Sequence, residues 1–91
     1  MAVRQMFSVF DSKAAAYLEP FFAPTRGVAM RSFQAACQDH GHNFHKYAED
    51  YTLFHLGEFD EFSGEVRSLN APEMVISAHQ VVALMKADGN A

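Results

Sequence analysis

Apolar and polar residues recur along this chain at two different periods. In Val3–Phe10, the residues Val3, Phe7 and Val9 fall on one face at a period of two, which predicts a strand. Asp11-Ser12-Lys13 interrupts it, because short Asp and Ser side chains bond nearby backbone and favour turns. Tyr17–Phe22 is bulky again, but Pro20 cannot donate to a ladder and confines the segment to a sheet edge or an extended loop. The period then lengthens. Thr25 follows Pro24 as a candidate N-cap, and Ala29, Phe33, Ala36, Cys37 and His40 share one face of a helix that Gly41 would stop.

His42–Asp50 is polar and aperiodic. Tyr51–Phe59 is a strong strand whose two faces are both largely apolar at Leu53–Leu56, which places it inside a sheet with partial cover on each side. Asp60–Gly64 is a hairpin connection ending in Gly, and Glu65–Leu69 is the returning strand. Asn70-Ala71-Pro72-Glu73 carries helix-start chemistry: a capping residue, a proline tolerated in the first turn and a glutamate three positions after the cap. Val75, Ala78, Val82 and Met85 would form its buried stripe. The expectation is an α+β fold of order ββαββα, a small antiparallel sheet of three to four strands with two helices on one face. Residues 1–91 form a single globular domain, with 87–91 a frayed tail.

Composition narrows what such a domain can do. Among the 91 residues are nine Phe and no Trp, so the core is expected to be Phe-rich. The formal net charge of −4 is a poor balance for gripping nucleic-acid backbone, and no basic run is present. Glu58, Asp60, Glu61 and Glu65 cluster at the hairpin turn as a solvated tip. Cys37, the one cysteine, excludes an internal disulfide and fits a reducing compartment. No signal-peptide pattern opens the sequence, and no apolar run nears the roughly 20 residues of a membrane span, so no membrane partner is expected.

Cys37, His40, His42 and His45 are residue types that zinc prefers, but their spacing matches no established finger or ribbon. Cys37 instead fits the apolar stripe of its helix, with the histidines as solvated loop residues, so no metal is assigned. A Cys–His nucleophile would need an exposed, electropositive setting. The carboxylates of the hairpin tip lack the desolvation that tunes acid–base groups, and no phosphate loop or dinucleotide fingerprint is present. Neither an enzyme activity nor a cofactor is expected. The best candidate contact surface is an aromatic and basic patch of Lys13, Tyr17, Phe21, Phe22, Arg26 and Arg31, which could hold single-stranded nucleic acid by stacking and charge.

Three stretches carry a resemblance to a known family. The first runs from Phe7-Ser8-Val9-Phe10-Asp11-Ser12-Lys13 through Ala14-Ala15-Ala16-Tyr17-Leu18-Glu19-Pro20-Phe21-Phe22. The second is Thr25-Arg26-Gly27 leading to Arg31 and Phe33. The third is Glu49-Asp50-Tyr51-Thr52-Leu53-Phe54-His55-Leu56-Gly57-Glu58-Phe59-Asp60, with Gly64 and Pro72-Glu73 after it. In these the chain resembles the small nonstructural protein of gokushovirus-type microviruses, bacteriophages with single-stranded DNA genomes. Where that family often reads His-Pro, this chain has Tyr47-Ala48. The resemblance implies a phage protein made in the host bacterial cytoplasm and absent from the capsid, with no family active site. It implies a regulator or adaptor in viral genome replication or packaging that acts through contacts with viral replication or procapsid proteins. The alternative is a single-stranded DNA-binding module using the patch above. Self-association through the C-terminal helix is also an expectation.

Overall fold

In a computed structural model, which describes residues 3–87, the chain folds as α+β. Strands β1 (Val3–Asp11), β2 (Ala16–Tyr17) and β3 (Phe21–Ala23) come first. Helices α1 (Arg26–Gln38) and α2 (Asn43–Lys46) and a 3-10 turn (Ala48–Asp50) follow. The hairpin β4 (Tyr51–Asp60) and β5 (Val66–Ser77) leads into α3 (Ala78–Ala87). All strand pairings are antiparallel, in the order β2-β1-β4-β5. β3 also pairs with β1, further along the edge that β2 occupies, so five strands make a sheet four strands wide.

Most of the expected elements are present, but the described residues hold five strands rather than three to four and three helices rather than two, through three corrections. Tyr17–Phe22 is not one edge strand but the end of β2 and the start of β3, separated by Leu18-Glu19-Pro20. The proline falls in the gap, where no ladder bond is asked of it. His42–Asp50 is not irregular, since the short α2 and the 3-10 turn fill it. The third correction is the largest. Asn70–Glu73 does not start a helix but lies within β5, which pairs with β4 as far as Thr52↔Ser77. Between Ser68, opposite Gly57, and Glu73, opposite His55, residues 69–72 bulge out against the single residue Leu56. Pro72 therefore sits in a bulge of an edge strand, a position proline tolerates.

The last helix starts eight residues after Asn70, behind a reciprocal cap. The Ser77 hydroxyl accepts from the Gln80 backbone N–H at 3.1 Å, and Gln80 Oε1 accepts from the Ser77 N–H at 2.9 Å. The frayed tail expected at 87–91 lies outside the described residues, apart from the backbone of Ala87. At α1, Thr25 caps as expected, its hydroxyl accepting from Val28 N–H at 3.2 Å. The helix ends at Gln38, ahead of Gly41, with Asp39 as the C-cap.

One side of the sheet is covered. Phe7, Val9, Ala23 and Leu53 meet Ala29, Phe33 and Cys37 of α1 and Ala78 and Val81 of α3 in a continuous core. Burying a side chain of Phe or Leu size contributes about 1.5–3 kcal/mol, so Phe7, Phe33 and Leu53 dominate the favourable burial. β4 lies inside the sheet, as its sequence predicts, but its cover is one-sided. Leu53 is fully buried towards the helices. Phe54, next along the strand and opposite Ser8, points to the face that no helix among the described residues reaches.

Candidate functional site

The uncovered face of the sheet is built of aromatic rings. Strand alternation puts Arg4, Met6, Ser8 and Phe10 of β1 on this side. The register adds Tyr17 opposite Phe10, Phe22 opposite Met6, Phe54 opposite Ser8 and Phe59 opposite Arg4. Met74 extends the face on β5, opposite Phe54. The rings form two groups. Phe10, Tyr17 and Phe54 meet edge-on with centroids 4.9 to 6.4 Å apart. Phe22 and Phe59 make the second group at 5.6 Å. Ser8 lies between the two groups, fully buried, and its hydroxyl donates to the Leu18 carbonyl oxygen at 2.5 Å. That bond ties the Leu18–Pro20 crossing down beside the strand. Tyr17 and Phe22 are 43% and 45% exposed and Met74 55%, so the face is an open apolar surface rather than half of a core.

The two ends of this face differ in charge. At the end where Val3 pairs with Asp60 stands the hairpin tip, with Glu58, Asp60, Glu61 and Glu65. The Asp60 carboxylate accepts from the Phe62 and Ser63 backbone N–H groups at 2.9 and 3.2 Å, which hold its pKa below the usual Asp value. Gly64 closes the tip at φ 76°, a conformation that favours glycine. At the other end, the Asp11 carboxylate accepts from the N–H groups of Lys13 and Ala14. This turn brings Lys13 to the rim of a groove it shares with Lys46 and Lys86.

Residues 4–81 match the model of a family described as Phage ORF5 protein. The chain belongs to this family. The phage part of the sequence resemblance thus stands on an independent match that spans most of the chain. No curated protein and no solved structure matches the chain.

In this member of the phage ORF5 family, the six patch residues expected from the sequence are distributed over several surfaces. Tyr17 and Phe22 lie on the open face, one in each ring group. Phe21 turns the other way and stacks on Phe7 at 5.9 Å, packed against the core. Arg26 is engaged in a polar clasp behind the sheet. Its guanidinium donates to Glu73 at 2.7 Å and to His55 Nδ1 at 3.0 Å. His55 Nε2 faces two acceptors, Gln5 Oε1 and the Gly57 carbonyl, so the proton is assigned there and Nδ1 is free to accept. The His55 ring also stacks on Phe7 at 4.8 Å. Lys13 is in the turn at the end of β1, and Arg31 is exposed on α1.

The residues considered for metal are also accounted for individually. Cys37 is fully buried, and burial pushes its thiol up to about 11, which disfavours the thiolate that zinc or nucleophilic chemistry needs. His42 is not simply solvated, because its Nδ1 caps α2 by accepting from Phe44 N–H. His45 is half-buried, with Nδ1 at 2.8 Å from the Cys37 carbonyl oxygen, and its ring stacks on His40 at 4.2 Å. Among the described residues, no three His, Cys, Asp or Glu side chains are arranged to hold a metal. No helix among them is long and apolar enough to cross a membrane.

Sequence reasoning missed Phe10, Phe54 and Phe59 as surface residues. For Phe10 and Phe54 the signal was available, since they occupy the opposite strand parity to Phe7 and Leu53. Phe59 shares the parity of Leu53 and reaches the open face only because β4 carries an extra residue, Leu56, where its register with β1 shifts between Met6 and Phe7. Only the placement of both long helices on one side decides which parity is left open.

Proposed function

We propose that this chain is a non-catalytic nonstructural protein of a gokushovirus-type microvirus, working in replication or packaging of the single-stranded DNA genome in the host bacterial cytoplasm. Its working surface is the open aromatic face, which takes unpaired bases. The observation that carries this reading is five rings on the one sheet face that no helix covers. An antiparallel sheet with helices behind and aromatics in front gives bases a place to stack without sequence preference. Each stacked base contributes about 1–3 kcal/mol. Along β1 the two ring groups are four residues apart, from Phe10 to Met6, or about 13 Å at roughly 3.3 Å per residue. That spacing suits a strand of several nucleotides rather than a single base. A net charge of −4 supports stacking over phosphate contacts as the main source of affinity.

The test is fluorescence anisotropy with a labelled oligothymidine 20-mer and a duplex of equal length at low salt. The single strand is expected to bind and the duplex not to. The double variant Tyr17→Ala/Phe22→Ala should weaken binding by at least about tenfold, as loss of two stacking contacts requires. A wild-type protein that ignores both DNAs, or takes both equally, would overturn this reading.

A second reading, an adaptor that docks viral replication or procapsid proteins, is favoured by one observation. Phe62 stands 93% exposed at the acidic tip. Capture of the replication initiator from infected cells by wild type and not by Phe62→Ser would favour the adaptor.

A further inference from the structure

The chain has three lysines, Lys13, Lys46 and Lys86, and all three line one groove. They come from three separate elements. Lys13 is held by the Asp11 turn after β1, Lys46 ends α2, and Lys86 lies on α3. On α3, His79, Val82 and Lys86 are spaced i, i+3, i+7 and so present one helix face to the groove. His45 and Tyr47 line the side from which Lys46 comes. The groove encloses about 480 Å³ and is open to solvent.

Two features set it apart from chance surface charge. Three of the four arginines, Arg4, Arg26 and Arg67, are held in ion pairs with Glu61, with Glu73 and with Glu58 and Glu65. None of the lysines makes an ion pair among the described residues. An acidic molecule has thus committed most of its arginines internally and gathered its three lysines in one concave place. The carboxylates of Glu49 and Asp50 also line the groove, but the ammonium groups outnumber them. The groove also has a position relative to the aromatic face. The turn that carries Lys13 joins β1 to β2, and the last rings before and after it, Phe10 and Tyr17, are a cross-strand pair of the open face.

We propose that this lysine groove holds the sugar–phosphate backbone of the same single strand whose bases lie on the aromatic face. The proposal rests on the single-strand reading above and adds the path of the backbone. The strand leaves the Phe10–Tyr17 end of the sheet past Lys13 and turns into the groove between α2 and α3. Its direction is set by charge, because the opposite end of the face carries the acidic tip. Lysine suits this task, as a flexible point charge that follows a phosphodiester without demanding one geometry.

The experiment is the salt dependence of affinity for the oligothymidine 20-mer. For single strands, log K falls with log salt by about 0.7 per neutralised phosphate. The triple variant Lys13→Ala/Lys46→Ala/Lys86→Ala should bind more weakly and with a slope about two units shallower, if each lysine meets one phosphate. The corresponding triple Lys→Arg variant should keep the wild-type slope. Arg31→Ala, outside the groove, should leave the slope unchanged. Circular dichroism confirms that each variant is folded. The aromatic double variant should lose affinity with its slope intact. An unchanged slope in the lysine triple variant would overturn the groove while leaving the stacking reading standing. Equal slope changes for Arg31→Ala and for each single lysine would also overturn it, as an effect of overall charge. Absence of any single-strand binding by the wild type would remove both.

Discussion

At Gly57, β4 approaches β5 too closely for any side chain. A Cβ there would fall well inside contact distance of the Arg67 carbonyl oxygen and 3.0 Å from Ser68 Cα. Both neighbours are backbone and cannot swing away. Gly57→Ala must therefore push the two strands apart beside the bulge at 69–72. Overpacking of this kind costs about 1–3 kcal/mol, and backbone against backbone belongs at the upper end. For a domain of this size the melting temperature should fall by about 10 °C or more, measured by calorimetry. A glycine in the middle of a strong strand pattern was legible as a sign of close approach or a bulge. Its neighbour His55 was not legible as a structural residue. Nothing in the sequence says that its ring bridges Arg26 and Gln5 while stacking on Phe7.

The elements show where pattern reading succeeds and where it is misled. β1, α1 and β4 carry strong periodicity and good boundaries, and the structure has them within a residue or two of expectation. Asn70–Glu73 shows the opposite case. It has the chemistry of a helix start, yet the strand wins because Val66–Ser68 and Glu73–Ser77 pair with β4 on either side of it. The same signature recurs at Ser77-Ala78-His79-Gln80, and there the reciprocal bonds form. Ser77→Ala removes the hydroxyl acceptor for Gln80 N–H and should cost about 1 kcal/mol. Urea titration should show a lower midpoint with an unchanged slope, and amide exchange should quicken first in the opening turn of α3. The Leu18-Glu19-Pro20 break and the short α2 were hidden for a different reason. Beyond the local Pro20 gap and the His42 cap, each is tied to the rest of the fold by a bond no local pattern announces, Ser8 to the Leu18 carbonyl and His45 to the Cys37 carbonyl.

Across the whole molecule, one core joins both long helices to the sheet, so unfolding should be a single event. Cys37 reports on it directly. With its thiol buried and its pKa raised, the native protein should not react with a thiol reagent at pH 8. In a urea series, the gain of thiol reactivity and the loss of far-ultraviolet circular dichroism should coincide. Reactivity well before the loss of helix would mean that α1 opens on its own. The candidate surfaces were legible only in part. Tyr17 and Phe22 could be chosen from sequence because bulky residues flank a proline. The lysine groove could not, since positions 13, 46 and 86 are brought together only by the antiparallel path of the sheet and the return of α3. The separation of charge between the ends of the strands has a further consequence. The four carboxylates of the hairpin tip outnumber Arg4 and Arg67, which pair with them, whereas the three lysines of the groove outnumber its two carboxylates. If the protein binds the single strand as proposed, that difference should favour encounters that present the lysine end first, an orientation that lower salt would strengthen. In that orientation the exposed Phe62 stands at the far end, free for a second contact.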